Sequence, residues 1–154
     1  MVMLKGIPAI LSPELLLALA QMGHGDEIVL ADANFPAFSV CRSGPVQVRA
    51  DGLGIPELLE AILKLFPLDT YVKSPAAVMD LVEDDKTRGL QTPVWTKYQL
   101  LLTRAGSATI LEKVERFAFY ERAKKAFAVV ATGETALYGN LILKKGVIAP
   151  EEQS

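Results

Sequence analysis

Helical and extended patterns of apolar residues alternate along the chain. Residues 12–14, Ser-Pro-Glu, predict a helix start, with Ser12 as N-cap and Pro at the first helical position. The helix is predicted to continue to Met22 and to end at Gly23 in a left-handed conformation. The next apolar run, residues 28–31, predicts a buried strand that finishes at Asp32.

The same reading predicts several further elements. Helices are expected from Pro56 to about Lys64, from Pro93 through Leu102, and over residues 115–126. Strands are expected over residues 46–48, 71–72, 78–79, 127–131 and 137–143. The alternation favours the α/β class, a single three-layer α/β/α domain over residues 1–154 with a mostly parallel central sheet.

Composition and charge narrow the classes of function. Hydrophobic residues make up 51% and charged residues 22%, as in a globular protein with a substantial core. The formal net charge of -2 predicts neither nucleic acid nor an anionic membrane as partner. No apolar stretch reaches the ~20 residues of a membrane span, and we expect no signal peptide. The single cysteine, Cys41, excludes an intramolecular disulfide, and we expect a cytoplasmic protein.

The only histidine, His24, lies between Gly23 and Gly25. Two glycines remove side-chain crowding and let a turn present the ring to a ligand. Histidine is also the side chain best suited to move protons near neutral pH. The alternative is a solvent-exposed surface histidine. One histidine and one cysteine in the chain disfavour a multi-ligand zinc site.

Polar residues that fit a sugar lie elsewhere in the chain. Asp32 follows a strand, where open α/β sheets gather ligands, and its carboxylate can accept bonds from two hydroxyls. Asp69 has a similar setting, and either aspartate can instead cap a turn. The run Tyr138-Gly139-Asn140 combines an aromatic platform, a small residue and an amide, and Tyr120 adds a second phenol. The alternative for both tyrosines is a place at the rim of the core.

Two blocks carry a family resemblance. Residues 22–36, MGHGDEIVLADANFP, strongly resemble the signature of the ribose pyranase and fucose mutarotase family. Residues 132–134, TGE, followed by residues 137–140, LYGN, resemble its carboxyl-terminal signature. The likeness extends over nearly the whole chain.

The resemblance implies a three-layer α/β fold and a ring-shaped homo-oligomer, often decameric, built from dimers. It also implies sites near subunit boundaries. His24 matches the proton-transfer residue of the family, and the positions that hold the sugar are matched by Asp32, Asp69, Met79, Tyr120, Tyr138 and Asn140. Ribose-type relatives place another histidine in the site. This chain has no second histidine, which favours L-fucose as the substrate.

The implied activity is the interconversion of the α and β anomers of L-fucose, in the use of free fucose. General acid and base groups suffice for ring opening and closure, so we expect no cofactor and no metal. Three alternatives remain: a non-catalytic monosaccharide-binding module, a ribose pyranase-type activity, and a structural oligomer. The sequence leaves open whether neighbouring subunits complete each other's sites.

Overall fold

The structure, a computed structural model, describes residues 3–152. The predicted domain bounds, residues 1–154, therefore extend beyond the described residues at both ends. The helices are α1 (Pro13–Gln21), α2 (Ala37–Cys41), α3 (Ile55–Leu63), α4 (Glu83–Thr87), α5 (Pro93–Arg104) and α6 (Arg116–Lys124). The strands are β1 (Glu27–Ala31), β2 (Val46–Ala50), β3 (Ala76–Met79), β4 (Glu112–Val114), β5 (Ala128–Thr132) and β6 (Leu141–Lys144), and a 3-10 turn spans Pro150–Glu152.

The six strands form one sheet in the order β2-β5-β1-β6-β3-β4. Strand β6 runs antiparallel to its neighbours β1 and β3, and the other three pairings are parallel. The prediction of a mostly parallel sheet is confirmed. Because β6 runs in the opposite direction, its first residues lie at the edge where the parallel strands end. Residues from widely separated parts of the sequence therefore meet at that edge.

Alternate residues of the central strand face opposite helical layers. Ile28 and Leu30 pack in a core with α1, α3 and α5, whereas Val29 and Ala31 pack in a second core with α2 and α6. All four side chains are fully buried, so both faces of β1 are covered. The three-layer α/β/α architecture is confirmed.

The start of helix α1 is as predicted, but its end is not. Ser12 accepts a hydrogen bond from the Leu15 N–H at 3.1 Å. Met22 leaves the helix in an extended conformation, and Gly25, not Gly23, has a positive φ of 90°. The Lys145 ammonium donates to the carbonyls of Leu19 and Met22 at 2.7 and 2.6 Å. Because Lys145 caps these carbonyls, the helix end needs no left-handed residue.

One predicted strand is absent, and another is shorter than predicted. Residues 71–72 form a bend, because the Tyr71 N–H turns back to the Asp69 carboxylate at 3.0 Å. The last strand begins at Leu141, not at Leu137, since Tyr138 has a φ of 58° and breaks the extended run. The sequence also did not predict three short elements, α2, α4 and β4.

Within residues 3–152, no helix has both the length and the apolar character needed to cross a bilayer.

Candidate functional site

A cavity of about 360 Å³ opens where the parallel strands end and β6 begins. It lies beyond Asp32 after β1, Met79 at the end of β3, and Asn140 before β6. Helix α6, which follows β4, adds Tyr120. The volume falls at the lower end of the range for small-molecule sites, which suits a monosaccharide.

Asp32 is the buried carboxylate of this cavity, with 6% of its surface exposed. One oxygen, Oδ1, accepts from the Asn34 N–H at 3.0 Å, and Oδ2 accepts from the Gly139 N–H at 3.3 Å. Each oxygen has a further lone pair for a ligand hydroxyl. Burial raises the pKa of Asp32 above its usual value, opposed by these backbone hydrogen bonds.

Asn140 stands beside Asp32 with its amide oriented. Its Oδ1 accepts from the Asp32 backbone N–H at 2.7 Å, and the residue is 4% exposed. The Nδ2 group therefore retains two N–H donors at the cavity. Asp32 and Asn140 together present acceptors and donors side by side, a pattern that adjacent hydroxyls of a sugar can match.

Tyr138 lies on a strained turn that is held by hydrogen bonds from two side chains of helix α5. Its φ of 58° is unusual for a bulky residue. The Trp95 indole N–H donates to the Tyr138 carbonyl at 2.8 Å, and the buried Tyr98 hydroxyl donates to the Gly139 carbonyl at 2.6 Å. A Cβ on Gly139 would come within 3.0 Å of the Ala136 carbonyl oxygen, so this position has no space for a side chain. The surroundings therefore impose the turn that points Tyr138 into the cavity.

The opposite wall is apolar and aromatic. Met79 and Phe35 are 6% and 8% exposed. The rings of Phe35 and Tyr120 lie 5.6 Å apart between centroids. Arg116 donates from Nε to the Tyr120 hydroxyl at 3.3 Å and also lines the cavity. A pyranose ring has apolar C–H faces that such a wall can cover.

The structure places His24 and Asp69 at the other edge of the sheet. His24 precedes β1, whereas Asp32 follows it, and the five residues of β1 span about 16 Å at about 3.3 Å per residue. Asp69 accepts from His24 Nε2 at 3.1 Å and lines a separate cleft of about 860 Å³. One chain alone does not bring His24 and Asp69 to the cavity, and their roles stay predictions.

The His24–Asp69 pair has the geometry of an oriented proton-transfer group. The His24 side chain is 44% exposed and its ring lies 5.3 Å from the Tyr71 ring, whereas Asp69 is 4% exposed. The hydrogen bond from the Tyr71 backbone N–H and the neighbouring His24 imidazole lower the pKa of Asp69, whereas burial acts to raise it. An ionised carboxylate only accepts, so Nε2 carries a proton and Nδ1 is the nitrogen able to exchange one.

Six further residues line the cavity that the sequence did not single out. Two of them, Asn34 and Phe35, lie just after Asp32 inside the first family block. Arg116 stands four residues before Tyr120, so the helical spacing places both on one face and was an available signal. Leu137 is the first residue of the second family block, residues 137–140, and the remaining two, Val82 and Asp85, had no such signal.

Among residues 3–152, no three His, Cys, Asp or Glu side chains are grouped to hold a metal ion.

Comparison with known proteins gives a consistent set of relatives. A model of the RbsD / FucU transport protein family matches residues 5–148. The fucose mutarotase of Homo sapiens is 76% identical over 149 residues, with 97% of each chain covered. The L-fucose mutarotase of Glaesserella parasuis is 55% identical over 146 residues, 94% of this chain and 96% of the relative. The crystal structure of the Streptococcus pneumoniae fucose mutarotase in complex with L-fucose matches with a TM-score of 0.87 and 48% identity, covering 95% of this chain and 100% of that one.

Proposed function

This chain belongs to the RbsD / FucU transport protein family, and from that premise we propose that it interconverts the α and β anomers of L-fucose. One observation carries the proposal. Five of the residues expected to hold a sugar, dispersed over more than 100 positions of the sequence, line one cavity of monosaccharide size: Asp32, Met79, Tyr120, Tyr138 and Asn140.

The cavity favours L-fucose over ribose on chemical grounds. Fucose is a 6-deoxy sugar, so its pyranose ring carries a methyl group that ribopyranose lacks. Met79, Phe35 and Leu137 offer apolar surface for that methyl group beside the polar groups of Asp32 and Asn140. The relatives named for fucose mutarotase activity support the same substrate.

The reaction needs two balanced proton transfers. A base removes the proton of the anomeric hydroxyl while an acid protonates the ring oxygen, and the bond between C1 and the ring oxygen breaks. Rotation about the C1–C2 bond exposes the other carbonyl face. Closure then reverses both transfers and returns each proton. Acid–base help of about 10² to 10⁴-fold suits a reaction that water already permits.

We assign one proton transfer to His24 and the orientation of His24 to Asp69. Asp69 fixes the imidazole through Nε2 and stabilises the imidazolium that forms when Nδ1 takes a proton. Asp32 and Asn140 hold the sugar hydroxyls in place, and Tyr120 provides a phenol for the complementary transfer. Because β1 separates His24 from the cavity, we propose that His24 of one copy faces the cavity of a neighbouring copy.

Exposed apolar residues at both ends support this shared site. Phe117 and Leu137, beside the cavity, are 64% and 55% exposed, and Tyr71, beside His24, is 75% exposed. Large exposed side chains at both halves of a site are typical of surfaces covered by another subunit. We propose a homo-oligomer, a ring of dimers that reaches a decamer, located in the cytoplasm.

The exchange rate of L-fucose anomers, measured by NMR saturation transfer on the purified protein, tests the activity. We expect exchange well above the buffer rate, without added metal or nucleotide. A non-catalytic binding module would leave exchange at its buffer rate, although L-fucose would still raise the melting temperature. A structural oligomer would show neither effect, and faster exchange with ribose than with fucose would contradict the proposed substrate.

A further inference from the structure

The proposed sugar cavity contains a second carboxylate, Asp85, on the short helix α4. Its side chain is 17% exposed, whereas the adjacent Asp84 is exposed to solvent. Both Asp85 oxygens are engaged. The Arg88 guanidinium donates to Oδ1, and the Tyr138 hydroxyl donates to Oδ2.

The bond to Asp85 determines what Tyr138 offers to a ligand. A phenol has one O–H to donate and two lone pairs with which to accept. The Tyr138 proton points at Asp85, and the Val82 N–H donates to the Tyr138 oxygen at 3.3 Å. One lone pair remains for the cavity. Tyr138 can therefore only accept a hydrogen bond from the sugar while Asp85 holds its proton.

We propose that Asp85 is a positioning residue that fixes the Tyr138 hydroxyl as a hydrogen-bond acceptor toward a donating sugar hydroxyl. This inference rests on the proposed function, since it assigns a role within the same cavity. Asp32 is a second acceptor and Asn140 is a donor. The cavity therefore distinguishes which sugar hydroxyls donate and which accept, as well as where they lie. A sugar whose matching hydroxyl is replaced by fluorine, which cannot donate, is discriminated against.

The electrostatics of the pair support this arrangement. The hydrogen bond from Tyr138 and the neighbouring Arg88 lower the pKa of Asp85. Burial, and to a smaller extent the hydrogen bond to Asp85, raises the pKa of Tyr138. The other charged group facing Tyr138 is Arg116 on α6, which acts in the opposite direction. Near neutral pH the pair is therefore an ionised carboxylate and a protonated phenol, as the acceptor role requires.

The test compares Asp85→Asn with Asp84→Asn. Both changes remove one carboxylate from the same helix, but only Asp85 touches Tyr138. We expect Asp85→Asn to lower kcat/KM for L-fucose exchange about ten- to hundred-fold, the worth of a hydrogen bond to a charged group. Asp84→Asn should stay within about twofold of the parent, as for other surface changes.

A double-mutant cycle with Tyr138→Phe isolates the action through Tyr138. Asp85→Asn should have little effect once the Tyr138 hydroxyl is gone. The ¹³Cζ resonance of Tyr138, assigned by its absence in Tyr138→Phe, should show a lower phenol pKa in Asp85→Asn than in the parent. Asp85→Glu, which restores a carboxylate, should move that pKa back toward the parent value and serves if the amide variant does not fold.

Equal loss of kcat/KM from Asp85→Asn in both backgrounds, or an unchanged phenol pKa, would overturn the inference. A parent protein without exchange activity would instead overturn the proposed function. The Tyr138 resonance still reports the bond in that case, so the two failures are distinguishable.

Discussion

His24 and Asp32 lie beyond opposite ends of one strand, β1 (Glu27–Ala31). The His24 side chain is 44% exposed and bonded to Asp69, whereas Asp32 is buried in the cavity beyond the other end of the strand. A strand is a rigid spacer, so no side-chain motion within one chain brings the two groups to one sugar. The proposed activity therefore needs two copies of the chain per site.

The His24–Asp69 bond predicts a separation of kcat from KM. Asp69→Asn removes the ionised acceptor that orients the imidazole, and we expect kcat to fall about ten- to hundred-fold. KM for L-fucose should change less, because Asp69 acts through His24. Asp51→Asn, at an exposed position paired with surface Arg49, is the control. A raised KM with an unchanged kcat would instead place Asp69 on the sugar.

Asp32 predicts a pH dependence of sugar binding. Burial raises the pKa of this carboxyl, so protonation begins above the ordinary value of 3.8 as the pH falls. A protonated carboxyl has fewer lone pairs to accept sugar hydroxyls. KM for L-fucose should therefore rise at mildly acidic pH and remain low near neutrality. For the nearly inactive Asp32→Asn the dissociation constant of L-fucose is measured instead, and we expect it to be high without this acidic rise. A rise of the same size in the dissociation constants of both proteins would contradict the assignment.

Tyr98 predicts a link between core stability and the cavity. Its buried hydroxyl donates to the Gly139 carbonyl, so Tyr98→Phe leaves that carbonyl unpaired. We expect the free energy of unfolding to fall by about 1–3 kcal/mol, with a raised KM because the Tyr138–Asn140 turn loses support. Tyr71→Phe makes the same chemical change at an exposed ring and should leave denaturant unfolding unaltered. Equal midpoints for the two variants would refute this link.

The sequence predicted the central layers of the fold well. The run at residues 28–31 is apolar at every position because β1 is covered on both faces, and the Ser12-Pro13 start of α1 is a local signal. The sequence does not predict strand β4 and helix α4, because they lack both a buried apolar run and a local start signal. They have three and five residues and no buried side chain, so pairing and packing with distant segments define them.

The site was predictable in its residues but less in its geometry. Asp32 follows a predicted strand, which places it at a sheet end. Asn140 lies within the strand predicted over residues 137–143, and only the later start of β6 at Leu141 brings it to that end. Tyr138 was assigned to a strand, because its turn depends on Trp95 and Tyr98, about 40 positions earlier in the chain. The separation of His24 from Asp32 was implicit in the strand predicted between them. Asp85 lies in an acidic run, Glu83–Asp85, in which no local signal distinguishes the residue that meets Tyr138.

Mixing two inactive variants tests the shared site most directly. His24→Ala lacks the proton-transfer group and Asp32→Asn lacks the buried acceptor, and we expect each homogeneous protein to exchange L-fucose anomers near the buffer rate. Co-assembled after dissociation and reassembly, the mixture should regain about a quarter of the parent rate, since one random pairing in four joins an intact His24 with an intact Asp32. A mixture that forms mixed oligomers by native mass spectrometry yet stays inactive would contradict the account.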